Sequence, residues 1–140
     1  MGKINMKMVV LGGLIAGVVI NLGEYILNGV ILMEDWEKWA ASMNQPAMDS
    51  DKMVWYILMG FVMGIAMVWL HAAIRPRFGA NLRTAVIAGL FVWLTIWVIG
   101  FGSSLIEELY PTNLVLISII WGLFEAPIAT IAGTYLYKEE

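Results

Sequence analysis

The sequence predicts an all-α, polytopic membrane protein: a four transmembrane helix bundle in one domain, with a short interfacial helix between the first two spans. Three observations predict it. Of 140 residues, 61% are hydrophobic and 14% charged, with a mean hydropathy of +0.80, whereas a soluble domain carries about 45–50% apolar and about 25% charged residues. Four apolar stretches, Met8 to Met33, Met53 to Ile74, Thr84 to Ile106 and Thr112 to Tyr137, exceed the ~20 residues that a helix needs to cross a bilayer core. Within them the carboxylates are Glu24 and Glu125, and no lysine or arginine is present. Backbone in hydrocarbon must satisfy its own hydrogen bonds, and the period-two alternation of a membrane barrel is absent, so the spans are helices.

Taken in order, the first span follows Lys3 and Lys7. Basic residues before an apolar run resemble a secretory signal, but the run is too long and lacks a small-x-small cleavage site, so it reads as a membrane span. The connection from Glu34 to Lys52 places Trp36, Trp39, Ala40 and Met43 at i, i+3, i+4, i+7 before Asn44-Gln45-Pro46. That spacing predicts a surface helix over Asp35 to Met43 with both tryptophans turned to the membrane. The second span ends at Arg75-Pro76-Arg77-Phe78-Gly79, which reads as a turn whose arginines meet lipid phosphates or a partner. The third ends before Glu107-Glu108, and the fourth before Lys138. Trp36, Trp39, Trp55, Tyr56 and Tyr110 form an expected outer aromatic belt, and Trp69, Phe78, Tyr135 and Tyr137 an inner one. Gly13 and Gly17, Gly60 and Gly64, and Ala129 and Gly133 are spaced for close helix approach.

Charge sets the expected orientation. Lys3, Lys7, Arg75, Arg77, Arg83 and Lys138 fall on one side, against Lys38 and Lys52 on the other, so the positive-inside rule places both termini in the cytoplasm. The opposite face collects Glu34, Asp35, Glu37, Asp49, Asp51, Glu107 and Glu108. A net charge of −3 conceals this split and makes nucleic acid an unsuitable partner; the lipid bilayer and other membrane subunits, or further copies of the chain, are the expected ones.

The absence of cysteine excludes disulfides and thiolate metal sites, and a single histidine excludes a bis-histidine haem centre built by this chain alone. No cofactor, metal or catalytic residue is assigned: Ser103-Ser104 has no nearby histidine, and His71 is offset from both glutamates along the bilayer normal. Chemistry points instead to the intramembrane carboxylates. Gly17, Asn21, Glu24 and Asn28 form one polar stripe in the first span, and Ser118, Trp121, Glu125 and Ala129 another in the fourth. At ~1.5 Å per residue, Glu24 sits about 14 Å and Glu125 about 20 Å from the outer ends, near enough to meet on antiparallel neighbours. An acidic residue at the bilayer centre costs about 2.5–3.5 kcal/mol on translocon scales, so each must be protonated, share a proton or bind a cation. Glu24, Glu125, Asn21, Asn28 and Trp121 are therefore the candidate proton- or ligand-binding residues. The alternative role is interhelical hydrogen-bond glue, worth about 0.6 kcal/mol per contact. Pro127 frees the carbonyl of Leu123 as a further acceptor, and Trp93 with Trp97 either walls an apolar pocket or packs.

The segments Asn21-Leu22-Gly23-Glu24-Tyr25-Ile26-Leu27-Asn28-Gly29-Val30, Ala72-Ala73-Ile74-Arg75-Pro76-Arg77-Phe78-Gly79 and Trp121-Gly122-Leu123-Phe124-Glu125-Ala126-Pro127 resemble an uncharacterised family of small four-helix bacterial inner-membrane proteins. The resemblance implies a bacterial inner-membrane location and carries over no activity and no residue role. Two functions follow from the residues: a non-catalytic integral subunit or scaffold of a larger membrane complex, or a small proton- or cation-coupled transporter or hydrophobic-ligand-binding protein using Glu24 and Glu125. An enzyme is the weakest class.

Overall fold

Asn5, Asp49 and Asn81 each turn a side-chain oxygen onto a following backbone amide, Met8 at 3.1 Å, Lys52 at 2.9 Å and Thr84 at 3.1 Å, which satisfies an orphan donor at a helix start. In the computed structural model, which describes residues 2–46 and 48–139, these caps open three of the long helical runs. The helices are α1 (Met6–Ile26), α2 (Met33–Ser42), α3 (Ser50–Phe78), α4 (Leu82–Trp93), α5 (Ser103–Ile106) and α6 (Thr112–Thr134). A π-helical turn, Leu27–Ile31, prolongs α1, and a second π-helical segment, Leu94–Phe101, leads from α4 to α5. Four continuous helical runs, Met6–Ile31, Ser50–Phe78, Leu82–Ile106 and Thr112–Thr134, are long and apolar enough to span a membrane. The protein is a four-helix membrane-type bundle.

The spans close in a ring: α1 lies along α3 and α6, and α4 lies along α6 and α3. The α1–α3 seam is the most extensive, and its residues show why. A Cβ on Gly13 would stand 2.5 Å from Ile65 Cα, and one on Gly64 would meet the Gly13 carbonyl and the Gly17 amide of α1. Backbone meets backbone there, the approach that small residues four apart permit. Gly133 of α6 faces the Gly12 carbonyl of α1 in the same way. Val9, Ala16, Ile20, Met67, Val68, Ala126 and Ala129 fill the space between the crossings.

Several expectations change. Arg75 to Phe78 is not a turn but the last turn of α3, which runs through Pro76 and ends at Gly79 with φ 91°. Proline forfeits one hydrogen bond near the helix end, while the left-handed φ that stops the helix needs glycine. Trp36 and Trp39 do lie on a short helix, but both are half-buried and face the bundle. With Tyr110 they form edge-on pairs at 5.1–5.9 Å, and Phe101 joins the group at 5.6 Å from Tyr110. Tyr137 is likewise buried rather than in a belt, whereas Trp55, Tyr56, Trp69, Phe78 and Tyr135 are exposed. Trp93 donates its indole N–H to the Ile119 carbonyl at 2.8 Å, and Trp97 is buried against Gly122, so this pair packs α4 and its π segment onto α6.

On α2, Glu34 and Lys38 pair at 2.6 Å on the exposed face. The hydrogen bond and charge of Lys38 hold the Glu34 carboxyl below its ordinary range and raise the Lys38 ammonium. The support this gives the helix is present above the ordinary glutamate range and fades as pH falls through the lowered value. Asn44, in the left-handed region at φ 51°, follows the end of α2.

Candidate functional site

Glu24 lies in the last turn of α1 and Glu125 in the middle of α6, and the packing of these helices brings the two carboxyl groups into hydrogen-bonding contact. Glu125 is only 6% exposed. Room for it comes from Gly23, where a Cβ would overlap Glu125 Oε1. The glycine beside one acid is thus the seat of the other.

The surrounding donors have fixed directions. Trp36 Nε1 donates to Asn28 Oδ1 at 2.9 Å, and Asn28 Nδ2 donates to Glu24 Oε2 at 2.7 Å. An indole can only donate, so it holds the Asn28 oxygen toward itself and its NH2 group toward Glu24. Trp121 Nε1 donates to Glu125 Oε1 at 3.2 Å. One oxygen of each carboxyl group is therefore occupied by a neutral donor. Glu125 Oε2 is buried and receives no N–H or hydroxyl donor among the described residues. No lysine or arginine reaches the pair either, since the ion pairs among the described residues are Glu34–Lys38 and Arg75–Glu139. Two bare carboxylates in contact at low dielectric repel strongly. Relief requires that a carboxyl group be protonated, that the two share a proton, or that a cation accompany them. Among the described residues no group of three or more His, Asp or Glu gathers around a multivalent-metal position.

The π turn explains how Asn28 and Trp36 reach this site. The Leu32 amide bonds back five residues to the Leu27 carbonyl at 2.7 Å, and the inserted residue swings the chain so that α2 folds over the end of α1. Such turns occur often at functional sites. Leu27, Leu32 and Leu114, with Trp36 and Trp121 packed against them, cover the pair from that end of the bundle.

The structure thus gathers Glu24, Glu125, Asn28 and Trp121 and places Asn21 elsewhere. Asn21 Nδ2 donates to the Gly17 carbonyl at 2.9 Å and across the seam to the Ile57 carbonyl of α3 at 3.2 Å, with Gly60 providing its space. It ties α1 to α3. Gly23 and Trp36 are the residues that sequence reasoning missed at the site. The adjacency of Gly23 to Glu24 was a visible signal; the Trp36–Asn28 bond, formed across a π turn, left none.

No family model matches the chain, and neither the curated proteins nor the solved structures include a significant match.

Proposed function

We propose that the protein is a small proton- or cation-coupled membrane protein whose exchange site is the Glu24–Glu125 pair, and that it resides in a bacterial inner membrane. The observation that carries this reading is the contact of two intramembrane carboxyl groups without a basic partner, one of them holding a buried oxygen with no donor. Hydrogen-bond glue does not require an ionisable pair, since amides would serve equally; ionisable groups inside a membrane most often mark ion and proton pathways. Asn28 and Trp121 act as positioning residues that leave one oxygen of each acid free for the exchanged ion.

Infrared difference spectra of the protein in lipid, recorded across the neutral pH range, test the site directly. A protonated-carboxyl band that changes with pH or with added sodium or potassium is the expected result. Absence of such a band at every pH would overturn the reading. For orientation, the excess of lysine and arginine at the end carrying the termini supports cytoplasmic termini. A cysteine introduced at exposed Ser42 should then label from outside the cell and one at exposed Asn81 only from inside; the reverse would overturn the orientation.

A second reading, that of a subunit or scaffold in a larger membrane complex, is supported by the first part of α3. Every residue from Asp51 to Met59 is exposed, including Trp55 at 65% and Tyr56 at 66%, so apart from the Asn21 bond to the Ile57 carbonyl this stretch is only lightly packed against the bundle.

A further inference from the structure

The end of the bundle opposite the acid pair holds a cleft of about 350 Å³ between the last turns of α3, the start of α4 and the tail after α6, lined by His71, Arg75, Asn81, Thr134 and Tyr137 among others. The basic residues Lys3, Lys7, Arg75, Arg77, Arg83 and Lys138 belong to this end, and among the described residues its acidic side chain is Glu139 of the tail. His71 and Arg75 stand four residues apart on one face of α3. Both are incompletely satisfied: His71 Nδ1 and Arg75 Nη1 are buried and have no hydrogen-bond partner among the described residues. His71 as a whole is 5% exposed.

The chain's own groups prepare Arg75 without saturating it. The Tyr137 ring lies 5.3 Å beneath the guanidinium, and the Tyr137 hydroxyl is held by the Asn5 amide at 3.2 Å, which fixes the ring as a platform. The Glu139 carboxylate comes no closer than 3.9 Å to Arg75 Nε, well beyond the ~2.7–2.9 Å of a charge-assisted hydrogen bond. Arginine stays charged whatever its surroundings, so its buried N–H groups need an acceptor.

We propose that this cleft binds a phosphate-bearing anion, with the Arg75 guanidinium as its principal donor and His71 Nδ1 as the second contact. A planar carboxylate pairs with the guanidinium fork alone. A tetrahedral phosphate offers oxygens in several directions, and His71 Nδ1 either donates to one as imidazolium or accepts from a phosphate hydroxyl as neutral imidazole. The same chemistry is carried by an anionic lipid headgroup and by free phosphate. The site is independent of the acid pair, and neither proposal stands or falls with the other.

The full chain, purified in neutral detergent, is titrated with phosphatidylglycerol and followed by native mass spectrometry, and separately with inorganic phosphate followed by phosphorus NMR line broadening. Binding of the lipid alone identifies a headgroup site, and binding of inorganic phosphate identifies a soluble-anion site; either supports the proposal when Arg75→Gln weakens it at least about tenfold, equivalent to ~1.4 kcal/mol. Arg77→Gln removes the same charge from the exposed face of the same turn and should change affinity by less than about twofold. Glu139→Gln removes the competing carboxylate and should tighten binding. Should Arg75→Gln fail to fold, Arg75→Lys keeps the charge but loses the fork, and it is expected to bind several-fold more weakly than the parent chain. Equal losses in Arg75→Gln and Arg77→Gln, parent-like binding by Arg75→Lys, or no binding of either probe would each overturn the proposal.

Discussion

Replacing Glu24 or Glu125 by Gln is expected to reduce pH-gradient-driven flux in reconstituted liposomes to the level of protein-free vesicles, while circular dichroism and elution remain those of the parent chain. Glutamine keeps the volume of glutamate and both kinds of hydrogen-bonding group, so Asn28 at 2.7 Å from Glu24 and Trp121 at 3.2 Å from Glu125 retain acceptors. What is lost is the exchangeable proton. In a pair that titrates as a unit, either substitution removes the shared ion, so the two variants should behave alike. Gly23→Ala examines the same contact by geometry, because the new Cβ falls where Glu125 Oε1 lies. The end of a flexible side chain can yield where backbone cannot. The variant should therefore fold, yet lose most of the flux as the carboxyl groups separate. If the Gln variants keep their flux, the carboxyl groups serve as glue, and the subunit reading becomes the better account.

Gly64→Leu should produce the largest loss of stability. Its Cβ would meet the Gly13 carbonyl and the Gly17 amide of α1, with Gly17 Cα 3.0 Å away. These are backbone atoms at a helix crossing, so relief requires α1 and α3 to part along their most extensive seam. Overpacking of a well-filled core typically costs about 1–3 kcal/mol, and the further loss of the Asn21–Ile57 bond across the same seam places the effect toward the upper end. Ala66→Leu, one turn-face away and exposed, should stay within about 0.5 kcal/mol of the parent. Thermal or denaturant unfolding in detergent measures both. Equal, small effects would show that the seam tolerates separation.

The residues legible from the sequence are those whose behaviour depends on one residue and its solvent. Apolar length against bilayer thickness decides the four spans, because transfer free energy adds along the chain with little regard to neighbours. The seam glycines Gly13, Gly17, Gly60 and Gly64 were visible as pairs four apart, and Glu24 and Glu125 stood out because a carboxyl group in hydrocarbon needs a reason to be there. The tertiary structure decided what depends on relative rotation and on pairs. Asn21 and Asn28 belong to one stripe on an ideal helix, yet Asn21 bonds to α3 while Asn28 bonds to Glu24. Each residue of an α-helix advances about 100°. Asn21 and Glu24, three residues apart, are therefore turned about 60° from one another around α1, enough to meet different neighbours, and only the crossing positions of α3 and α6 say which residue meets which. The π turn after Ile26 shifts the following residues out of the helical register, which carries Trp36 over the acid pair instead of toward lipid. Leu27 and Leu32, at the two ends of this turn, pack with Leu114 and Trp121, contacts more than 80 residues distant in sequence, and periodicity carries no trace of them.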